Sequence, residues 1–481
     1  MLKPVLKILL NFLFCLYCDI LIKTYILRCF MNIEKNKIYN VECLSSGSEG
    51  EGIVKIDGFT VFVPGMLPGE KGDVLIVKLK KNYGYGKLME LTASSPERTE
   101  PPCPYYKTCG GCSLQHMSYA SQLKFKKNKV KDCMERIGGI QNAFYPDTVG
   151  MDEPWNYRNK AQYPIGKDKN GKTVIGFYAP RSHRITDIDN CMLQMNNSSQ
   201  IIEIVRKFID DFNIPVYDEL SHRGLLRHVI TRTSYNTGEM MVTFAINGKI
   251  IPHADELIER LKSTGFVASI VININREKTN AILGSKSVTL WGKDTIRDKI
   301  GDISFDISSL SFYQVNPVQT QKLYSIAVES AGLTGNENVI DVYCGIGTIS
   351  LFAAGRAKSV YGIEIVERAI EDAKHNAEIN GIKNAEFEAG KAKDILPRLY
   401  SEGVKADVIF LDPPRKGLEV SVIDAVCGIE PKKVVYVSCD PATLARDLKL
   451  FAEKGYTTDR INTVDMFCQT GHVETVVVLT M

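Results

Sequence analysis

The chain has 481 residues, too many for a single hydrophobic core, so about three domains are expected. Its net charge of only +3 excludes a whole-molecule field as the source of nucleic-acid affinity, which must come from local basic patches. Thirteen cysteines scattered irregularly through so large a chain exclude a small disulfide scaffold and point to a reducing, cytoplasmic setting, where metal and catalytic roles come first.

Residues 1–31 stand apart from the rest. Ile8 to Phe30 is largely apolar, but Asn11, Asp19, Lys23 and Arg28 interrupt it, which makes a poor membrane span. No small-residue cleavage site follows, as a signal peptide requires. The expectation is an extension outside the fold with no membrane association, a membrane anchor being the lesser alternative. Met31 opens an ordinary polar start.

Residues 32–93 are short β-rich runs punctuated by glycine: Glu49 to Ile56, Phe59 to Gly65 and Gly72 to Leu79. Strands at this spacing predict a small barrel. Lys78, Lys80, Lys81 and Lys87 interleave with Tyr83 and Tyr85, combining charge for phosphates with rings that stack on bases. A solvated edge strand has the same look. The runs, with their Pro64-Gly65 and Gly69-Glu70-Lys71-Gly72-Asp73 turns, resemble the TRAM domain, an OB-like module that binds RNA.

Residues 94–308 are expected to form an α+β central domain. Near its start Cys103, Cys109 and Cys112 are spaced five and two residues apart around Gly110-Gly111. Three thiols so close imply a metal centre, and Cys191 is the best remaining candidate for a fourth ligand. Zinc stays open, but no second Cys-x-x-Cys and no His-x-x-x-His accompanies the set, so a [4Fe–4S] cluster is the preferred reading. A basic helix from Leu123 to Ile137 is expected to carry Lys124, Lys126, Lys127, Lys129 and Lys131 on its surface. Further on, Trp155–Lys160 and Arg223–His228 are polar islands, either solvated faces or RNA contacts.

Residues 309–481 read as a Rossmann-like α/β domain. Asn338 to Val342 is a buried strand running into the glycine turn Gly345-Ile346-Gly347, and a second strand ends at Glu364, a carboxylate able to bind ribose hydroxyls. The missing third glycine argues against a dinucleotide. A third strand ends at Asp412-Pro413-Pro414 and a fourth, Val434–Cys439, runs into Asp440-Pro441. Asp440 suits a helix N-cap and Pro441 the first helical position, so Cys439 is placed at a helix N-terminus expected to favour its thiolate. A small buried cysteine is the plainer alternative. Gly345, Glu364, Asp412 and Cys439 all fall at carboxyl ends of parallel strands, where open α/β sheets bind ligands.

Ser311–Pro317, Asp341–Gly347, Asp412–Gly417, Ser438–Pro441 and Thr470–Glu474 together resemble the uracil-5 RNA methyltransferases of the RumA/TrmA family, over roughly residues 36 to 481. The resemblance implies S-adenosylmethionine as methyl donor, with Gln314, Tyr343, Glu364 and Asp412 contacting it. Barrel and four cluster cysteines together match the 23S ribosomal RNA branch, with the transfer RNA branch as alternative. It implies an RNA substrate, no stable protein partner and a monomer. Uracil C5 is a weak nucleophile until a thiolate adds at C6, which suits Cys439, and the C5 proton must afterwards be removed, a base role matching Glu474. A surface carboxylate at a strand start is the alternative for Glu474. Cys468 stands where the family usually has proline, which questions the rigidity of that turn. A nitrogen methyltransferase would need an aromatic where Arg415 stands, and a non-catalytic RNA-binding protein would have no use for Cys439 and Glu474 together.

Overall fold

The computed structural model describes residues 33–481, so the expected extension over 1–31 lies outside the described residues. They fall into two compact units, one running up to Glu100 with His116–Ser118, the other comprising Pro101–Gln115 and Tyr119–Met481.

In the first unit β1 (Ile38–Ser46), β2 (Gly52–Ile56), β3 (Phe59–Val63), β4 (Lys71–Leu79) and β5 (Tyr83–Ala93) close into a barrel in the order β1-β2-β3-β5-β4. Alternation sets the two faces: Phe59, Val61 and Val63 of β3 point into the barrel while Thr60 and Phe62 face outward. Gly86 is required where it stands, since a Cβ there would meet Val74 Cγ1 at 2.3 Å. Glu70, from the glycine-rich turn, is fully buried; it accepts from Leu67 N at 2.8 Å and Ser95 N at 3.2 Å and pairs with Arg98, tying the segment that leaves β5 back to the turn before β4. Outside, Phe62, Tyr83 and Tyr85 form a ring cluster with centroids 5.7 to 6.0 Å apart.

The second unit holds two seven-stranded sheets. The first comprises β6 (Lys160–Lys167), β7 (Thr173–Tyr178), β8 (Ile185–Asp187), β9 (Leu226–Thr233), β10 (Met240–Ile246), β11 (Val267–Ile274) and β12 (Lys286–Gly292), in the order β12-β11-β10-β9-β6-β7-β8. It buries its apolar residues against the helix Ser198–Asp211 through Ile201, Ile202, Val205, Phe208 and Ile209. The island around Arg227 is structural rather than solvated. Its guanidinium is buried, donates to the carbonyls of Asn275, Glu277 and Thr279, and lies over the Tyr217 ring.

A hairpin, β13 (Thr295–Ile300) and β14 (Ile303–Ser308), leads to the second sheet: β15 (Asn338–Val342), β16 (Ser359–Glu364), β17 (Ala385–Ala389), β18 (Val408–Leu411), β19 (Lys433–Ser438), β20 (Ile461–Val464) and β21 (Glu474–Thr480). The order is β17-β16-β15-β18-β19-β21-β20, parallel except at β21, which runs antiparallel to both neighbours. The strand order reverses between β15 and β18, so the ligand crevice of the sheet is expected above their carboxyl ends. Met241 and Val271 of the first sheet share one hydrophobic core with Phe305, Phe410 and Val435, which is why both sheets belong to one compact unit.

The basic helix runs from Tyr119 to Cys133 and is continued by a π-helical turn, Met134–Gly138. One of its lysines corrects the expectation of a uniformly charged surface: Lys126 is completely buried and paired with the equally buried Asp465. A lone buried ammonium is too costly to persist, and the carboxylate beneath this helix is what allows it. Among the described residues no helix is long and apolar enough to cross a membrane.

Candidate active site

A cavity of about 880 Å³ opens above the carboxyl ends of β15, β16, β18 and β19, at the switch point of the second sheet. Gln314, Tyr343, Glu364, Asp412, Cys439 and Glu474 all line it.

One side is backbone and carboxylate. After β15 the chain turns through left-handed residues, Tyr343 at φ 70°, Gly345 at 55° and Gly347 at 83°; glycine adopts this freely, tyrosine only under constraint. That constraint comes from Ile363, whose carbonyl accepts from Tyr343 N at 2.9 Å and Cys344 N at 3.1 Å. Glu364 is fixed in turn, its two oxygens accepting from Gly345 N at 3.3 Å and Val366 N at 3.0 Å. Each carboxylate oxygen accepts one of these bonds and has capacity for a second, as ribose hydroxyls need, and Glu364 lines the cavity. Asn159, part of the island before β6, donates from Nδ2 to the Gln314 carbonyl at 3.0 Å and sets that strand-end segment.

The other side carries the thiol of Cys439 and the carboxylates of Asp412 and Glu474. Asp440 caps the helix Pro441–Glu453, accepting from Ala442 N at 2.9 Å and Thr443 N at 3.0 Å, with Pro441 in the first turn. The helix terminus is as expected, but its effect on Cys439 is not. Burial, with Glu474 and Asp412 nearby, pushes the Cys439 thiol up to about 11, and only Arg415 and a backbone hydrogen bond act against it. Asp440 already takes two of the free N–H groups, which leaves the helix end little field for the thiol. Burial likewise raises Asp412 to about 7 and Glu474 well above the usual carboxylate range. Glu474 is 3% exposed, so it is not a surface residue at a strand start. Register explains its position: β19 and β21 pair Ser438 with Thr475, so Cys439 and Glu474 are the next residues facing each other beyond the last ladder pair.

Arg415 is the residue that motif reading undervalued. Its charge opposes the upward shifts of both Cys439 and Glu474, and it stands with Lys391, Lys393 and Lys416 on the positive side of the cavity. Its signal in the sequence was its place directly after Asp412-Pro413-Pro414.

The loop from Asp465 to Val473 leads into Glu474 and is held from several sides. Lys126 donates to the Phe467 carbonyl at 3.0 Å, Lys129 to Gly471 O at 2.8 Å, Asn316 to Met466 O at 3.1 Å and Tyr157 to Cys468 O at 3.0 Å. The cysteine at 468 therefore does not slacken this turn: its side chain is buried, with Tyr119 Oη 3.5 Å from Sγ.

Cys103, Cys109, Cys112 and Cys191 line a second cavity, of about 380 Å³, with Arg158 and Lys160. Burial raises the thiols of Cys109 and Cys191 and pushes Cys112 up to about 12, each further raised by its cysteine neighbours. Among the described residues no three His, Cys, Asp or Glu side chains are gathered closely enough to hold one metal ion. A cubane asks for less crowding than a single ion, because each thiolate binds a different iron.

A doubly wound α/β sheet with its ligand cavity at the switch point defines a nucleotide-ligand enzyme fold, in a chain that also carries a small closed barrel. Comparison with known proteins narrows this. A protein of Clostridium tetani described as an uncharacterized RNA methyltransferase is 50% identical over 449 residues, covering 93% of this chain and 97% of its own. One from Halalkalibacterium halodurans with the same description is 50% identical over 448 residues, covering 93% and 98%. The crystal structure of Pyrococcus abyssi tRNA (uracil-54, C5)-methyltransferase in complex with S-adenosyl-L-homocysteine superposes with a TM-score of 0.75 at 30% identity, covering 92% of this chain and 99% of that one. The TRAM domain matches residues 34–89. The chain belongs to the tRNA (uracil-5-)-methyltransferase family, whose model matches residues 118–481.

Proposed function

We propose that the protein methylates C5 of a uracil in 23S ribosomal RNA, with S-adenosylmethionine as donor and Cys439 and Glu474 as the two catalytic residues. The observation that carries this reading is the facing of a thiol and a buried carboxylate across the β19–β21 register, in the cavity that also holds Glu364 and the Tyr343–Gly347 turn.

The donor, when bound, supplies an electrophilic methyl group on a positively charged sulfonium. Gln314, Tyr343, Glu364 and Asp412 are the residues to hold it: Glu364 takes ribose hydroxyls, and the turn lets a nucleoside approach the backbone. Cys439 bonds through Sγ to C6 of the uracil, which gives C5 the electron density to accept a methyl group. Glu474 then takes the C5 proton, and elimination expels the cysteine. Burial raises both groups and the charge of Arg415 acts against that rise, so Arg415 and the incoming positive charge of the donor favour their ionised forms. The barrel, with Tyr83, Tyr85 and the lysines of β4 and β5, adds affinity for RNA.

Cys103, Cys109, Cys112 and Cys191 would hold a [4Fe–4S] cluster, for which a shared cavity lined by four thiols, with Arg158 in the same lining, is a suitable set. Bound there, it would tie the loops that carry the four cysteines together. The choice of the ribosomal branch rests on the family resemblance of the barrel and the four cysteines alone. Transfer RNA is the second reading, favoured by the Pyrococcus abyssi enzyme's substrate. Mapping 5-methyluridine in ribosomal and transfer RNA of a deletion strain tests both. Loss confined to 23S RNA supports the proposal, and loss confined to transfer RNA replaces it with the second reading.

A further inference from the structure

Gln122, on the helix Tyr119–Cys133, is buried and joins two segments that are far apart in sequence. Its Nε2 donates to the Leu114 carbonyl at 3.1 Å and to Gln469 Oε1 at 2.9 Å, while its Oε1 accepts from Gln469 N at 3.1 Å. Leu114 follows Cys112 by two residues; Gln469 precedes Glu474 by five. The two segments also touch directly. Ser113 N and Leu114 N both donate to Gln469 O, at 3.0 and 3.1 Å, and Gly471 N donates to Ser113 Oγ at 3.2 Å. At the centre of this contact Gln469 sits at φ 69°, a left-handed conformation that a non-glycine residue keeps only when its surroundings hold it.

We infer that Gln122 and Ser113 are positioning residues for the proton-removal step: they clamp the cysteine-bearing segment onto the loop that delivers Glu474 and thereby fix where that carboxylate meets the substrate. This rests on the reading of Glu474 as the base. A side-chain amide matched on both edges is unusually selective, because its donors and acceptor are all used and burial makes any unmatched group costly. Without the clamp the backbone at Gln469 relaxes toward a common conformation, and Glu474, five residues on, moves with it. A positioned base is worth roughly 10²- to 10⁴-fold, so partial misplacement should cost about tenfold in turnover. The clamp's hydrogen bonds run to Leu114, Gln469 and Gly471, which lie outside the donor-binding turn at Tyr343–Gly347, so donor affinity should not change.

The test uses Gln122→Met, which keeps the volume and removes the hydrogen bonds to Leu114 and Gln469, and Ser113→Ala, with Glu474→Gln in parallel, on the full-length enzyme with its RNA substrate and methyl-labelled donor. Both positioning variants should turn over about tenfold more slowly, bind donor as the parent does, and accumulate a labelled covalent protein–RNA complex on a denaturing gel. The complex is the readout that a general loss of stability does not produce. Slower turnover without accumulation, or unchanged turnover in both variants, overturns the inference. If Gln122→Met loses donor binding through misfolding, Ser113→Ala decides alone by the same criteria. If Glu474→Gln itself accumulates no complex, the assignment of the base fails, and with it the inference; if only the positioning variants fail to accumulate, the base stands and the clamp does not.

Discussion

Cys439 and Glu474 face each other as the pair immediately beyond Ser438 and Thr475, where the last ladder residues of β19 and β21 meet. The Glu474 carboxylate raises the Cys439 thiol, so the two remain neighbours one step beyond the ladder, as two groups that work on adjacent atoms of one ring must be. The antiparallel return of β21 brings this about; a parallel strand in its place would present its other end.

Loss of the two residues should leave different species behind. Cys439→Ala is expected to form no RNA adduct. Glu474→Gln still allows addition and methyl transfer but stalls before elimination, so a slow, labelled, protease-sensitive band should accumulate on a denaturing gel. A Cys439→Ala enzyme that still makes 5-methyluridine would end the covalent mechanism.

The raised thiol of Cys439 gives a pH signature with a definite sign. With its pKa at about 11, only about one thiol in a thousand is ionised at pH 8 in the resting enzyme. Iodoacetamide alkylation of Cys439, followed by peptide mass spectrometry, should therefore rise about tenfold per pH unit and show no plateau below pH 10. A plateau near pH 7 would show that the helix terminus dominates after all.

The buried pair Lys126–Asp465 should be costly to break. Lys126→Met leaves a buried carboxylate with only Tyr119 Oη, at 2.9 Å, as side-chain donor, and is expected to destabilise the fold by about 3–5 kcal/mol in chemical denaturation. The double variant Lys126→Met, Asp465→Leu should recover much of that, because no lone charge then remains. Equal losses in the single and double variants would mean that the charge pairing contributes little.

RNA affinity should carry the mark of the barrel. Replacing Lys78, Lys80 and Lys81 by alanine should lower the slope of log affinity against log salt by up to about three, about one for each phosphate that a lysine no longer neutralises. Tyr83→Ala with Tyr85→Ala should weaken binding with little change in slope, since stacking releases no counterions. An unchanged slope in the lysine variant would place the RNA surface elsewhere.

Purified without oxygen, the protein should be brown, with about four irons per chain. Cys109→Ala should lower iron content and RNA binding together, because removing a thiolate ligand unties the surrounding loops. Stoichiometric zinc with no visible absorbance would favour the other metal.

Much of this protein was legible in local patterns. Gly-rich β runs read as a barrel because strand alternation and turn glycines are short-range properties, and four buried strands ending in Gly345, Glu364, Asp412 and Cys439 read as one binding edge because strand direction follows from the βαβ alternation. The capping of the helix at Pro441 by Asp440 was equally local. What the pattern could not decide was anything set by residues distant in sequence. Lys126 looks like any other lysine of a basic helix; only Asp465, 339 positions away, makes it a buried one. Glu474 looks like a surface carboxylate at a strand start until β21 runs back beside β19 and buries it. Helix position suggested a thiolate at Cys439, yet desolvation by the cavity walls and two facing carboxylates outweighed the helix end. Sequence patterns carry periodicity, capping and turn chemistry; burial and charge at a site depend on which distant groups the fold brings to it, and those only the tertiary structure decides.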